Sequence, residues 1–234
     1  RIGEWIKACE ASHDSCNEES QTAEGLFGHG PFALRLIDVE NRMLVQSLTP
    51  VRYLTLSYVW GPSANRRFAM VDYPYPHHED AWRFPEGIKP LEKQPVEMMF
   101  GRVGRTFEDL ISFARRLRER YIWIDAMCIP QDEPAVLASQ ISRMDQIYFH
   151  GACNIVSLSS GVDDGLPGTS PVSDRNTQQL VELLPNGARV ATPLIELDMW
   201  MPYAPWTTRG WTLQEHLLAR RSVFFGRHEA FFVC

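Results

Sequence analysis

Apolar segments of strand length alternate with amphipathic helical segments through the middle of this 234-residue chain. Residues 51–60 (VRYLTLSYVW) are rich in β-branched and aromatic residues and end at a Gly-Pro pair, which is typical of a buried strand. Shorter apolar segments follow at 121–125 and 152–158, and helical periodicity marks 106–119 and 136–149 between them. Strands that alternate with helices in this way indicate a parallel sheet. We therefore expect an α/β fold with a central, mostly parallel sheet of about five strands and helices on both faces.

The segments on either side of this core carry further elements. Apolar side chains recur at helical spacing in residues 1–16, which predicts a short amphipathic helix. Apolar alternation on both sides of a polar turn predicts an N-terminal hairpin within 32–48. Near the end of the chain, residues 211–218 predict a helix, and 222–225 and 230–233 predict two strands.

The chain is long enough for one large domain with insertions. We expect residues 1–30 to form a helical leader and 31–234 to form the main domain, truncated at its C-terminus because the sequence stops inside an apolar segment. Two long insertions, about 61–104 and 159–205, are rich in turn-forming residues and lack sustained periodicity. Thr106, with an acid three residues later, is predicted to cap the first long helix.

Composition narrows the class of function. A net charge of −6 gives no general attraction to phosphate backbones, so nucleic acid is not expected as a partner. The longest apolar runs fall far short of the roughly 20 residues that a membrane span needs, and we expect none. Five scattered cysteines do not predict a disulfide scaffold, which favours a reducing, intracellular setting.

Two groups of cysteines raise the question of metal binding and of covalent catalysis. Cys9, His13 and Cys16 form a CxxxHxxC pattern, three soft ligands nearly on one helical face. A structural zinc site needs a fourth ligand, and the sequence offers only His29 or an unspecified distant residue, so we expect no bound metal. Cys128 lacks any local pattern that would support a cysteine nucleophile, and we expect a buried thiol.

Three separated blocks resemble a known family. They are YLTLSYVWG at 53–61, RYIWIDAMCIPQDE at 120–133 with RMDQIY at 143–148, and RGWTLQEHLLARR at 209–221. In this order and at these separations they resemble the HET domain, the heterokaryon incompatibility module of filamentous fungi. The departures are small: Val59 stands where the first block often has cysteine, and Ala126 and Met127 replace more usual residues in the second.

The resemblance implies a cytoplasmic cell-death effector in fungal nonself recognition, triggered through self-association or by a sensor or regulatory domain or protein. HET domains are also remotely similar to TIR domains, which implies a TIR-like fold, and some TIR domains cleave NAD. NAD would then be the substrate, and no resident cofactor is implied. In those enzymes a tryptophan followed four residues later by a glutamate lies on the helix after the third strand, and Trp211 and Glu215 match that position and spacing.

The pair that matches the TIR enzymes could act directly in the cleavage of NAD. Residues four apart share a helix face, so Trp211 and Glu215 are expected to project together. A carboxylate at Glu215 could stabilise the oxocarbenium-like state that forms as nicotinamide leaves the ribose, and Trp211 or Trp60 could stack on the base. The alternative is that Trp211 belongs to the core and that Glu215 pairs with Arg209 or Arg220.

Further candidates for substrate binding lie where the predicted strands end. Ser57, Tyr58 and Trp60 end the first strand, and Asp125 closes the strand at 121–125. Ligands of α/β sheets collect at these carboxyl ends, so we expect the catalytic acid to face a hollow there, with Asp125 and Trp60 at its rim. Arg209, at the start of the third block, is a further substrate-binding candidate. For Asp125 the alternative is a carboxylate that organises its loop by accepting backbone N–H bonds.

A function of another class fits the same sequence. A HET domain could act without catalysis, as a signalling module that oligomerises when an attached sensor brings copies together. A third reading is a domain that has lost its chemistry and only binds a nucleotide.

Overall fold

One eight-stranded mixed sheet organises the chain in the computed structural model. The structure describes residues 1–17, 32–60, 70–72, 84–99, 103–159, 161–173, 175, 180–192 and 196–234. In chain order the strands are β1 (Leu34–Asp38), β2 (Met43–Ser47), β3 (Tyr53–Ser57), β4 (Met70–Asp72), β5 (Ile88–Pro90), β6 (Lys93–Pro95), β7 (Tyr121–Trp123), β8 (Cys153–Ser157), β9 (Val181–Leu183), β10 (Arg189–Ala191), β11 (Ser222–Phe225) and β12 (Ala230–Val233). The helices are α1 (Ile2–Ser12), α2 (Asp14–Asn17), α3 (Val96–Met99), α4 (Arg105–Leu117), α5 (Asp125–Cys128), α6 (Pro134–Ile141), α7 (Met144–His150), α8 (Leu197–Trp200) and α9 (Gly210–Leu218), with 3-10 turns at Met201–Tyr203 and Pro205–Thr208.

The centre of the sheet is parallel and its flanks are antiparallel. The strand order is β12-β11-β8-β3-β7-β1-β2-β5, and β11, β8, β3 and β7 run parallel to one another. Read across the sheet from β7 to β11, these four strands are the second, first, third and fourth parallel strands of the chain. This is the strand order of flavodoxin-type doubly wound folds. The prediction of an α/β fold with a mostly parallel centre is confirmed.

The sheet is wider than predicted because segments expected to lie apart from it join its edges. The predicted hairpin forms from β1 and β2, and β1 then pairs with β7 in antiparallel orientation. The insertion at 61–104 also contributes β5, which pairs with β2. A strand of three residues is too short to produce a periodic signal in the sequence. In the segment predicted as the second insertion, β9 and β10 form a separate hairpin.

Helices cover both faces of the sheet, as right-handed crossovers in this strand order require. On one face α4 packs against β11, with the rings of Phe113 and Phe225 5.3 Å apart in an edge-to-face contact. On the other face α7 and α9 pack against each other, and the Tyr148 ring of α7 lies 5.4 Å from Trp123 of β7. The helix predicted at 136–149 is divided into α6 and α7.

The predicted cap at Thr106 is wrong. Helix α4 begins at Arg105, and its cap residue is Gly104, whose φ of 99° lies in the region that favours glycine. The Thr106 hydroxyl instead accepts the backbone N–H of Gly165 at 3.1 Å, and Asp109 accepts a second backbone N–H from the same insertion. Both side chains are buried, so this loop rather than solvent supplies their partners.

The N-terminal helix belongs to the main hydrophobic core. Ile6 of α1 is 4% exposed and lies in the same core cluster as the central strands. The predicted helix at 1–16 is confirmed, as α1 followed by α2. Within the described ranges, no helix is both long and apolar enough to cross a membrane.

A buried ion pair fixes the position of β1 beside β7, and its loss should destabilise the fold. Asp38 is fully buried at the end of β1 and accepts hydrogen bonds from Arg120 at 2.8 and 3.1 Å and from the Asn41 amide at 3.0 Å. We expect Asp38→Asn to lower the free energy of unfolding in urea by about 3 kcal/mol, because it leaves a charged guanidinium without its buried counterion. Glu40→Gln is the matched control, since Glu40 contacts the same arginine at 3.4 Å from a largely exposed position. Equal losses in the two variants would contradict this assignment.

Candidate functional site

The carboxyl ends of β3, β7 and β8 lie side by side at one edge of the sheet. Between β3 and β8 the order of the strands reverses, and the helices that follow them lie on opposite faces. Such a reversal leaves a crevice at the strand ends, where ligands of doubly wound folds bind. The predicted site residues after β3 and β7 meet at this edge, and α9 brings Glu215 to them from later in the chain.

Glu215 is the buried centre of the site. This residue is 4% exposed, and its carboxyl accepts a hydrogen bond from the Ser57 hydroxyl at the end of β3. The same hydroxyl accepts the indole N–H of Trp206 at 2.7 Å. The Tyr148 hydroxyl is hydrogen-bonded to Glu215 and also donates to the carbonyl oxygen of Leu56 at 3.0 Å. The contact with Tyr148 lowers the pKa of Glu215, as a hydrogen bond donated to a carboxylate does.

The surroundings of Glu215 favour its neutral form. Burial raises the pKa of Glu215 to about 7, and the neighbouring Asp125 adds to the increase, while the Ser57 hydrogen bond and the positive charge of Arg209 oppose it. At neutral pH this carboxyl therefore exists in both protonation states. Groups poised in this way can take up or release a proton during a reaction.

Asp125 organises the loop after β7. It is the first residue of α5 and not the last of the strand, which ends at Trp123. Its carboxylate accepts the backbone N–H of Ala126 at 2.7 Å and the indole N–H of Trp60 at 2.9 Å, and the Tyr58 hydroxyl bonds to it as well. Burial raises the pKa of Asp125, and these hydrogen bonds oppose the increase. The carboxylate thus fixes its own loop and two of the aromatic side chains that follow β3.

Neither arginine considered as a partner forms an ion pair with Glu215. Arg209 donates to the backbone oxygen of Tyr58 at 2.5 Å, and its guanidinium lies 5.6 Å from the centre of the Trp60 ring. Arg220 lies over the Phe149 ring at 5.4 Å. Arg209 therefore belongs to the group formed by Ser57, Tyr58, Trp60, Asp125 and Glu215, which we call the strand-end cluster.

A cavity of about 1220 Å³ opens beside the strand-end cluster. Tyr58 and Trp60 line it, together with Phe107, Met127 and Ile129. Among the described residues, Asp125 and Glu215 do not line the cavity, although Asp125 is bonded to Trp60, which does. The hollow expected at the strand ends is present with Trp60 in its lining, but the expectation that Glu215 faces it and that Asp125 lies at its rim is wrong.

Trp211 and Glu215 have different surroundings although they lie one turn apart on α9. Trp211 is 51% exposed, whereas Glu215 is 4% exposed. The alternative in which Trp211 belongs to the core does not fit this exposure. Its ring is available to a ligand or to another protein surface.

Two residues of the site were missed by sequence analysis, and one suspected nucleophile is inert. Tyr148 lies within the RMDQIY block, so the resemblance contained its signal, but nothing local linked it to Glu215. Trp206 lies in a proline-led 3-10 turn that carries no periodic pattern. Cys128 is fully buried, and burial raises the pKa of its thiol to about 12, as expected for a core cysteine.

The raised pKa of Glu215 makes stability depend on pH. Between the ordinary value of 4.5 and about 7, the folded protein holds a proton that the unfolded chain does not, so the free energy of unfolding falls as pH rises through this range. Glu215→Gln removes the titrating group. We expect it to match wild type near pH 4 and to be more stable by about 3 kcal/mol at pH 8, measured by urea unfolding across pH. Glu182→Gln, on the exposed strand β9, should follow wild type throughout; a parallel offset of the Glu215 variant at all pH values would rule out the coupling.

Comparison with known proteins identifies the family. The family model described as Heterokaryon incompatibility protein (HET) matches residues 53–215, which is more than half of the chain and includes every residue of the strand-end cluster. No curated protein and no solved structure matches the chain. The chain therefore belongs to the heterokaryon incompatibility (HET) family.

Proposed function

We propose that this HET domain is a death effector of fungal nonself recognition that acts by hydrolysing NAD to nicotinamide and ADP-ribose, with Glu215 as the catalytic carboxyl. Membership of the HET family supports the role in heterokaryon incompatibility and cell death. The observation that carries the chemistry is a carboxyl with a pKa of about 7 at the carboxyl ends of parallel strands, between a serine and a tyrosine hydroxyl.

The proposed reaction needs few groups from the protein. The bond between the ribose C1′ and the nicotinamide nitrogen breaks with its electron pair on nitrogen, so nicotinamide leaves as a neutral base and needs no general acid. Ionised Glu215 stabilises the oxocarbenium-like ribose. Water then adds to C1′ and loses its proton to the same carboxylate, which balances the hydrolysis with one proton released to solvent.

The cavity beside the strand-end cluster suits a dinucleotide. Its volume of about 1220 Å³ exceeds that of most small-molecule sites. Trp60 and Tyr58 offer aromatic faces for a base, and the Asp125 carboxylate holds the Trp60 indole at 2.9 Å. Lys89 and Lys93 also line the cavity and offer cations to a diphosphate, and acidic residues line it too.

In its present conformation the site is closed, which suits an effector that must stay inactive until triggered. A ribose can reach Glu215, 4% exposed, only after the side chains in front of it move. The Trp206 indole donates to Ser57 at 2.7 Å from a short 3-10 turn, so a movement of this turn would release the hydroxyl that bonds to Glu215. We propose that self-association, imposed by an attached or separate sensor, supplies this step.

Release of nicotinamide tests the enzymatic proposal directly. We expect wild type, assembled through an inducible dimerising fusion, to convert NAD to nicotinamide and ADP-ribose, followed by chromatography. Glu215→Gln should lower turnover at least about 100-fold, because it removes the ionisable group on the reacting sugar. Glu182→Gln, on the exposed hairpin, should keep full activity. Turnover in Glu215→Gln equal to wild type would remove Glu215 from the mechanism.

The proposal that a base of NAD stacks on Trp60 in the cavity can be tested by comparing two tryptophan variants. Trp60 lines the cavity, whereas the half-exposed Trp211 does not. We expect Trp60→Ala to raise KM for NAD about tenfold with a smaller change in kcat, because stacking on the base contributes equally to the ground and transition states. Trp211→Ala should raise KM less. A larger increase in the Trp211 variant would move the base from the cavity to the outer face of α9.

A non-enzymatic signalling module is the second candidate, and the outer face of α9 favours it. Leu213 and Leu217, four residues apart on one face, are 61% and 69% exposed. Exposed apolar side chains at this spacing are typical of a contact surface for another protein. Cell death that Glu215→Gln triggers as strongly as wild type, but that Leu213→Asp abolishes, would favour this candidate over NAD hydrolysis.

A further inference from the structure

Four soft ligands from the two ends of the chain meet at one point on the surface. They are Cys9, His13, Cys16 and Cys234, and their ligand atoms all lie within 4.8 Å of one another. The Nδ1 atom of His13 is 3.2 Å from the Sγ atom of Cys234. The CxxxHxxC pattern provides three ligands, and the fold supplies a fourth from beyond the end of β12.

Local backbone structure brings these ligands together. Cys9 lies on α1, and the chain leaves this helix at His13 in an extended conformation, with φ −113° and ψ 94°. The short helix α2 then turns Cys16 back towards Cys9. Strand β12, at the edge of the main sheet, ends at Val233, so the next residue, Cys234, lies beside α1. The Trp5 ring of α1 is 6.3 Å from that of Phe232, which keeps the helix against the strand.

We propose that these residues form a structural zinc site of the Cys3His type, independent of the proposed NAD chemistry. Three thiolates and one imidazole are a common closed ligand set for tetrahedral zinc. With zinc–sulfur bonds of about 2.3 Å, tetrahedral geometry requires sulfur atoms about 3.8 Å apart, which the observed cluster reaches with small side-chain movements. Calcium and magnesium prefer oxygen ligands, and this cluster of sulfur and nitrogen atoms offers none.

The charge of the site is balanced by a buried arginine. Zinc with three thiolates and a neutral imidazole carries a net charge of −1. Arg221 is 3% exposed and donates its Nε–H to the Cys9 sulfur at 3.1 Å, and it also donates to the side chain of Asn17. A cationic donor on a ligating sulfur is the kind of outer contact that orients a ligand and stabilises its thiolate form.

Two of the three cysteines in the cluster are more exposed than the thiols that pack in the core, while Cys9 is buried. Cys128 and Cys153 are fully buried, as small apolar side chains commonly are. Cys16 is half-buried and Cys234 is exposed, so core packing does not account for them. All five cysteines are free thiols, and a disulfide between two members of the cluster would leave the third cysteine and His13 without a role.

Zinc at this position would join the N-terminal helix to the edge strand of the sheet. The ligands on α1 and α2 and the ligand after β12 are separated by almost the whole chain. A bond between such distant segments restricts the unfolded chain strongly and so stabilises the folded state.

Metal content and cobalt spectroscopy test the proposal on the purified, zinc-loaded protein. We expect one zinc per chain by elemental analysis, and its loss in His13→Ala, Cys16→Ala and Cys234→Ala, whose side chains lie outside the apolar core. Cys128→Ala, which removes a thiol elsewhere, should keep the metal. Cobalt in place of zinc should give the intense visible bands of tetrahedral thiolate coordination, and a chelator should lower the Tm of wild type but not of Cys16→Ala.

The cobalt spectrum of wild type reports the ligand set even if a variant fails to fold. Absence of zinc and of the cobalt bands from wild type would overturn the proposal. A disulfide within the cluster, found by mass spectrometry of the alkylated protein, would overturn it too. Equal zinc in wild type and all three ligand variants would show that the metal is bound elsewhere and would have the same consequence.

Discussion

The hydrogen bond between Glu215 and Ser57 connects the elements on which the site depends. It joins the helix α9 to the end of the central strand β3, and Tyr148 of α7 bonds to the same carboxyl. Two residues further into the sheet, the Asn154 side chain accepts from Thr55 at 3.0 Å and donates to the backbone oxygen of Glu215 at 3.4 Å. The carboxyl and its backbone are thus held by three different elements, so its position is fixed by the fold. Burying an ionisable group costs free energy, and buried groups with shifted pKa values are common at functional sites, where they donate or accept a proton.

The strand-end cluster ties the aromatic side chains after β3 to the loop after β7. Asp125 holds the Tyr58 and Trp60 side chains, and both of these line the cavity. Tyr58 also interacts electrostatically with Glu215, which does not line the cavity. Contact between a ligand in this space and the carboxyl with a pKa of about 7 would therefore require a change of conformation.

The central part of the fold could be predicted because its signals are local and strong. The sequence predicts a buried strand within residues 51–60 and strands at 222–225 and 230–233, and the structure has strands at all three positions. What periodicity cannot give is the pairing of strands at the sheet edges, so the antiparallel attachment of β1 and the contribution of β5 were not foreseen. The cap at Thr106 failed for a related reason, because a loop distant in sequence supplies the partner of its hydroxyl.

The candidate site could be predicted where residues follow strands or share a helix turn. Ser57, Trp60 and Asp125 were assigned from their positions at strand ends, and the structure brings them to one edge. Trp206 and Cys234 had no such signal, because each reaches its partners only through contacts between segments far apart in the chain. The burial of Glu215 is likewise a property of packing, which spacing along a helix does not reveal.

The central claim is that Glu215 exchanges a proton near neutral pH within the folded protein. Difference infrared spectroscopy between wild type and Glu215→Gln isolates the carboxylic acid C=O stretch of this one residue as the pH is varied. The account predicts that this band is present at pH 6, is lost at pH 8, and has a midpoint close to the pKa of about 7. A midpoint near the ordinary value of 4.5 would contradict the account.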